Sequence, residues 1–329
     1  MKICFLDFTN FKYSFEDKLS PKLRGAETVL INLSYNLRNL DNEIYVFNNS
    51  SKDYSDKNFI WTDINNIKKY DIDFDIAISN GDINLLDKVK SKKKFAISYS
   101  IQTIEKFIRK KQLLTFLKNK PKIILIGEYH KTKRSYLTRL YGYDILNISI
   151  DDIFNEAKLS NNIDDKKAIF TSRSDRNMNL LIDIWTNKIM SKNKSLKLFI
   201  TPDSNFKNFN SKNILFRKMG DQSDLINDLI TSRVMLVPGH KAELFCLAAE
   251  EARELCIPIV TLGIGSLKER VKHNLTGFIA NNEEEFANYT LKLFENNDIW
   301  SKIRNNLIHQ RGKKNWNSSS KDFLETLKK

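Results

Sequence analysis

The stretch Val237–Val260, VPGHKAELFCLAAEEARELCIPIV, decides the fold. Its first residue ends an apolar run, Val234-Met235-Leu236-Val237, that reads as a buried strand and breaks at Pro238-Gly239. Its last four, Ile257-Pro258-Ile259-Val260, read as the start of the next strand. Between them, Phe245, Ala248, Ala252 and Leu255 are spaced as one apolar face of a short helix. Two carboxylates bracket the start of that helix, Glu243 in the loop and Glu251 on the helix, with seven residues between them. Strand, loop and helix start together form the usual ligand corner of an α/β sheet, where open backbone N–H groups attract phosphate.

On both sides of this corner, strand-like apolar runs alternate with helical segments, the pattern of βα units around parallel sheets. In the first part the expected strands are 2–8, 43–47, 74–79, 95–98, 122–126 and 145–148. A helix opens at Gly25-Ala26-Glu27 with Val29, Leu30, Leu33 and Leu37 as its buried stripe, and another covers 84–89. Residues 101–120 read as one basic amphipathic helix. The polar stretch 151–165 reads as a linker. After it come strands at 167–170, 196–200, 214–216, 234–237, 258–260 and 277–280, with helices at 178–189, 284–294 and 299–308. A chain of 329 residues fits two such domains. The boundaries expected are 1–155, 156–312 and a C-terminal helix over 313–329.

Composition narrows the function. Hydrophobic content of 41% and charged content of 29% exclude a disordered chain. The three cysteines, Cys4, Cys246 and Cys256, have no metal-type spacing and sit in apolar surroundings, so neither a zinc site nor a disulfide framework is expected. No signal-peptide pattern and no long apolar run is present, which points to a soluble cytoplasmic protein. The net charge of +14 is uneven: residues 1–150 carry 26 Lys and Arg against 17 Asp and Glu, and 101–150 alone 11 against 3. A basic face of this kind suits an anionic partner: a membrane surface, a nucleic acid or a phosphorylated substrate.

Three pieces of the second half could converge on one site. Arg173 and Arg176 follow its first strand, and guanidinium groups grip phosphate oxygens in a fixed fork; pairing with Asp175 is the alternative. The opening stretch is the second piece. The third is the loop Gly263-Ile264-Gly265-Ser266-Leu267, whose backbone could approach phosphate. The alternating carboxylates Asp71, Asp73 and Asp75 read as the solvated start of a strand rather than as a metal site.

The order Arg173…Arg176, Glu243-x7-Glu251, Pro258, Gly265-Ser266-Leu267-x-Glu269-x-Val271 and Thr276-Gly277-Phe278 resembles the large retaining GT-B glycosyltransferase family. Gly25-Ala26-Glu27 is similar to that family's Gly-Gly-x-Glu segment. Trp316 resembles its C-terminal crossover, where a last helix returns to the first domain. The resemblance implies two Rossmann-like domains facing across a cleft, with the acceptor on the first and a nucleoside-diphosphate-sugar donor on the second. It implies that Arg173 and Arg176 hold the donor diphosphate and that Glu243 accepts hydrogen bonds from the sugar hydroxyls. Phe245, Cys246, Leu247, Gly265, Ser266 and Leu267 would bring backbone against the donor, and Glu251 would accept from the ribose. Gly25, Ala26, Glu27 and Tyr99 would lie on the acceptor side. No metal and no further cofactor is implied, and configuration would be retained. The acceptor expected is a glycan or lipid-linked sugar in cell-surface polysaccharide synthesis, with peripheral membrane contact through the basic domain. No nucleic acid is expected, although nucleic-acid binding through 101–150, a non-catalytic relic and an epimerase are alternatives. Cys246 and Cys256 stand where the family usually has glycine, and their side chains would narrow the approach to the sugar; Ser172 and Asn177 also replace glycines.

Overall fold

The computed structural model describes residues 1–18, 20, 23–202, 211–218 and 220–329. The chain forms two units, Met1–Ser149 with Asn315–Lys329, and Ile150–Lys314.

In the first unit, the strands are β1 (Lys2–Leu6), β2 (Glu43–Asn48), β3 (Tyr54–Asp56), β4 (Phe59–Asp63), β5 (Phe74–Asn80), β6 (Ser91–Ile97), β7 (Lys122–Leu125) and β8 (Tyr143–Ile145). They lie in the order β3-β4-β2-β1-β5-β6-β7-β8, all parallel except the edge strand β3, which runs antiparallel to β4. Ile3, Cys4, Phe5 and Leu6 of β1 are all buried, as a parallel strand covered on both faces requires. The order reverses between β1 and β5, so the ends of those strands flank the sheet's switch point. The helix Gly25–Arg38 buries Val29, Leu30, Leu33 and Leu37. The last helix, Trp316–Lys328, packs on it and buries Trp316, Phe323 and Leu327.

The second unit holds β9 (Asp164–Phe170), β10 (Lys197–Ile200), β11 (Ile214–Phe216), β12 (Ser232–Leu236), β13 (Ile259–Thr261) and β14 (Gly277–Ile279). Their order, β11-β10-β9-β12-β13-β14, is parallel throughout and is the doubly wound Rossmann order. Its switch point falls between β9 and β12. Strand β9 leads into Arg173 and Arg176, and β12 leads into the Val237–Val260 stretch.

Several expectations change. The hairpin β3–β4 is absent from the sequence reading. Its short strands are held by an aromatic cluster in which Phe59 and Trp61 meet Phe15 and Tyr13, a grouping made only by the fold. Residues 101–120 form two helices, Ile104–Arg109 and Leu113–Asn119. The break is a left-handed cap in which Lys111 has φ +54, Lys111 N–H donates to Ile108 O and Gln112 N–H to Phe107 O. Residues 84–89 lie mostly in a 3-10 turn, Ile83–Lys88, and β8 ends at Ile145, where 145–148 had been expected as strand. The stretch 151–165 contains a helix, Asp152–Glu156, whose Phe154 is buried in the core of the second unit. In the opening stretch, the helix runs Leu247–Glu254 and buries Ala249 and Ala252, followed by Leu255; Phe245 is buried ahead of the helix instead of on its face, and Ala248 is only partly buried. Cys246, at φ +65, shifts the helical phase just before it begins.

That helix ends on Cys256, at φ +60, with Cys256 N–H donating to Arg253 O and Ile257 N–H to Ala252 O. This is the cap in which glycine is favoured, because a Cβ there crowds the backbone by about 1–2 kcal/mol. Cys256→Gly should therefore unfold in urea at least about 2 kcal/mol later than Cys4→Gly, since Cys4 is equally buried but in a strand, where glycine is itself costly. Equal losses in the two variants would count against the cap.

Candidate functional site

Three loops at the switch point of the second sheet are stitched together. Asn177, just before the helix Met178–Ile184, has φ +63, and its Nδ2 donates to Gly239 O at 2.6 Å. Gly239 in turn bridges to Ile264, and a Cβ on Gly239 would stand 2.5 Å from Ile264 O. A Cβ on Gly265 would stand 2.3 Å from His240 O, so this crossing admits only glycine on that side. Ser266 N–H then donates to Glu243 O at 3.0 Å.

Glu243 is the hub. Its Oε1 accepts from Cys246 N–H at 3.1 Å, and its Oε2 lies 3.4 Å from Arg176 Nε. Burial pushes its carboxyl above the usual range, against the pull of the Arg176 charge and the Cys246 N–H. Arg176 is mostly shielded, its side chain 18% exposed, whereas Arg173 is 74% exposed. Asp175 holds both, at 2.8 Å from Arg173 and 2.9 Å from Arg176. The pairing with Asp175 and the convergence on Glu243 thus coexist, and sequence reasoning missed the bridging part of Asp175.

Glu251 lies just over one turn into the helix that Cys246 precedes. Burial raises its carboxyl to about 7, with Arg217 the opposing charge. The neighbouring Glu250 is fully engaged, with Arg253 at 2.7 Å and with Arg270. Among the described residues, Glu251 carries no such pair.

The remaining residues expected on the donor side divide by where their side chains go. Cys246 and Leu267 are in the core and Phe245 is buried under Arg270, whose guanidinium sits 4.3 Å from its ring centroid. These three can present only backbone. The Cys246 thiol, held neutral by burial, points into the core, and Cys256 belongs to the core as well, so neither narrows an approach to ligand as expected. Leu247 is partly exposed. Ser266 is sealed, and its Oγ has no partner among the described residues. His240 Nδ1 accepts from Ala242 N–H at 3.1 Å and His273 Nδ1 from Ile279 N–H at 3.1 Å, which gives both local structural bonds.

The first unit has a second polar cluster at its own switch point. A cavity of about 440 Å3 is lined by Asp7, Glu27, Asn80, Asp82, Tyr99 and Gln112, among others. Tyr99 Oη donates to Asn80 Oδ1 at 2.8 Å, Asn80 Nδ2 to Asp7 Oδ1 at 3.2 Å, and Tyr13 Oη to Asp7 Oδ2 at 2.5 Å. Burial raises Asp7 while the bonds from Tyr13 and Asn80 oppose it, and burial together with the Asp7 charge pushes Tyr99 well up. Glu27 Oε2 accepts from Arg24 N–H at 3.1 Å and so caps the helix start at Gly25-Ala26. Asp7, Tyr13 and Asn80 were not foreseen; the only signal was a carboxylate at a strand end. Among the described residues, no three His, Cys, Asp or Glu side chains cluster as a metal site.

Two parallel-sheet units, each with its polar cluster at a switch point, define the GT-B fold of glycosyltransferases. Residues 156–314 match the profile of the family Glycosyl transferases group 1. Over the whole chain the fold is similar to sucrose-phosphate synthase of Thermosynechococcus elongatus, at 12% identity, 98% of that chain and a TM-score of 0.72. It is similar to HepE of Anabaena, solved in complex with UDP-glucose, at 16% identity, with 100% of this chain and 99% of that one covered and a TM-score of 0.70. It is also similar to WaaG, a glycosyltransferase involved in lipopolysaccharide biosynthesis, at 12% identity, 99% of both chains and a TM-score of 0.70. No curated protein sequence matches the chain.

Glu251 offers a test of the site's electrostatics. Its raised folded value means the stability from its neutral form is full below the unfolded value near 4.5 and is lost as pH rises through about 7. Glu251→Gln should therefore match wild type in urea at pH 4.5 and exceed it at pH 8 by on the order of 2 kcal/mol, screening allowed for. A difference that does not change with pH would show that the carboxyl is not held in this way.

Proposed function

We propose that the protein transfers a sugar from a nucleoside-diphosphate donor to a glycan or lipid-linked acceptor, with retention of configuration. The observation that carries this reading is the Arg176–Glu243 pair, set at the switch point of a group 1 domain beside the exposed Arg173. A diphosphate entering here displaces Asp175 from the two guanidinium groups, which then stabilise the negative charge on the departing nucleotide. They supply the charge that a metal ion supplies elsewhere, so no metal or cofactor is required by this scheme. Glu243, already fixed by Cys246 N–H and Arg176, accepts from a sugar hydroxyl. Glu251 ionises on accepting two ribose hydroxyls, the grip a carboxylate has on a diol. Backbone from Phe245 to Leu247 and from Gly265 to Leu267 would line the donor. In the first unit, Tyr99 and the Gly25-Ala26-Glu27 helix start would line the acceptor cavity, with Asp7 and Asn80 as its polar floor. The complex of the similarly folded HepE with UDP-glucose supports a uridine nucleotide as the first donor to try. The likeness to WaaG, which is involved in lipopolysaccharide biosynthesis, supports a cell-surface glycan as the product class.

Titration calorimetry with UDP, GDP and their sugars tests the donor. One of them should bind, and Arg176→Ala should weaken it by roughly 10- to 100-fold, the weight of one charged hydrogen bond. Absence of binding by all of them at millimolar concentration would end the proposal. Asp175→Asn should do the reverse of Arg176→Ala, tightening nucleotide several-fold by removing the carboxylate that competes for both arginines. Weaker binding in that variant would mean that Asp175 positions the arginines instead of competing for them. The anomeric signal of the transferred sugar by NMR decides retention.

A further inference from the structure

Among the described residues, half of the exposed large apolar side chains fall in one short region: Ile104, Ile108, Leu114, Leu117, Tyr136 and Leu140. Leu114 is 80% exposed, Tyr136 79%, Leu140 61% and Ile108 58%. The spacing follows the helices. In Ile104–Arg109 the inner residue is Phe107, leaving Ile104 and Ile108 outward; in Leu113–Asn119 the inner residues are Thr115 and Phe116, leaving Leu114 and Leu117 outward. These helices and the 135–141 segment are neighbours. Phe107 and Phe116 meet edge-on at 5.1 Å, Phe116 meets Tyr141 at 5.1 Å, and Ser135 N–H donates to Gln102 O at 3.0 Å.

The same region is strongly basic. Residues 104–141 carry 11 Lys and Arg against Glu105 and Glu128 alone. Arg109, Lys110, Lys111, Lys118, Lys133 and Arg139 are all exposed. Glu128 is paired with Lys131 at 3.2 Å, and Lys118 meets Asp87 at 2.9 Å. The charges crowd one another: Lys106 is brought down to about 8 by burial and then by Lys110 and Arg109. Arg139 lies 4.5 Å from the centre of the exposed Tyr136 ring.

We propose that this face of the first unit docks on an anionic lipid bilayer, with the six apolar tips entering the headgroup boundary and the lysines and arginines meeting lipid phosphate. Aliphatic tips scattered among charges of one sign fit this occupant and no other so well. A second copy of the chain would bring the same positive face against it, and like charges repel across an isologous contact. A nucleic acid would satisfy the lysines but has no use for Leu114, Leu140 and Ile108, because bases stack on rings. A bilayer takes both, since apolar burial and attraction to anionic lipid add. Among the described residues no helix is long and apolar enough to cross a membrane, so the contact proposed is a surface one.

The test is co-sedimentation of the full chain with vesicles of phosphatidylcholine, with and without about 30 mol% phosphatidylserine. Binding should be about 10-fold or more stronger to the anionic vesicles and should fall with salt. The double variants Leu114→Ser/Leu140→Ser and Lys110→Glu/Lys111→Glu should each weaken it by about 10-fold with unchanged thermal melting. Equal binding to neutral vesicles, indifference to both double variants, or tighter binding of a single-stranded RNA that Leu114→Ser/Leu140→Ser leaves unchanged would each overturn the proposal. So would a stable dimer that the leucine variants dissociate. The proposal is independent of the donor reading: nucleotide titration of the same variants should match wild type, and failure of wild type to bind nucleotide would end only the donor reading.

Discussion

The second unit depends on one half-buried carboxylate. Glu243 faces Arg176 with one oxygen and the Cys246 N–H with the other, and its own carbonyl takes the Ser266 N–H. A charge removed from water is tolerated only when it is paired and hydrogen-bonded, and these contacts meet that condition. The three loops cannot drift apart without exposing or orphaning it. Gly239 and Gly265 are the steric side of the same constraint, because a Cβ at either would strike a carbonyl of the facing loop.

Both units use the same topological device. In each sheet the strand order reverses, and the residues leaving the two strands at that point are polar: Asp7 and Asn80 in one, the Arg173–Arg176 turn and the Pro238–Glu243 loop in the other. Chains diverge to opposite faces of the sheet there and leave a crevice that no helix fills. What differs is charge. The first crevice is held by a buried tyrosine–asparagine–aspartate chain, while the second presents guanidinium groups that an internal aspartate keeps neutralised. The first suits hydroxyl groups and the second suits phosphate.

Much of this was legible in the chain. Continuous apolar runs such as Ile3–Leu6 and Val234–Val237 identify buried parallel strands, because such strands are covered on both faces. The Glu243-x7-Glu251 spacing placed both carboxylates at one strand–helix corner. Misreadings cluster where backbone takes the left-handed region without glycine. Lys111 divides what periodicity joined, and Cys246 shifts the phase of the helix it precedes. A glycine announces such a turn; lysine and cysteine do not. The β3–β4 hairpin escaped for another reason, since its strands are short and the aromatic cluster of Phe15, Phe59 and Trp61 that packs there is brought together only by the fold.

By itself, the sequence determined the alternation of strands and helices, the division into two α/β domains, the set of residue types at the Val237–Val260 corner and the excess of positive charge near residues 101–150. These follow from local periodicity and composition, which each segment carries wherever it sits. Tertiary structure alone decided which of the named residues show a side chain and which show only backbone. It decided that Asp175 bridges two arginines, that Asp7 joins Asn80 and Tyr13, and that Leu114 and Leu140 face outward beside the lysines. Those facts depend on burial and on partners distant in the chain, and burial is a property of the packed molecule rather than of any one stretch of it.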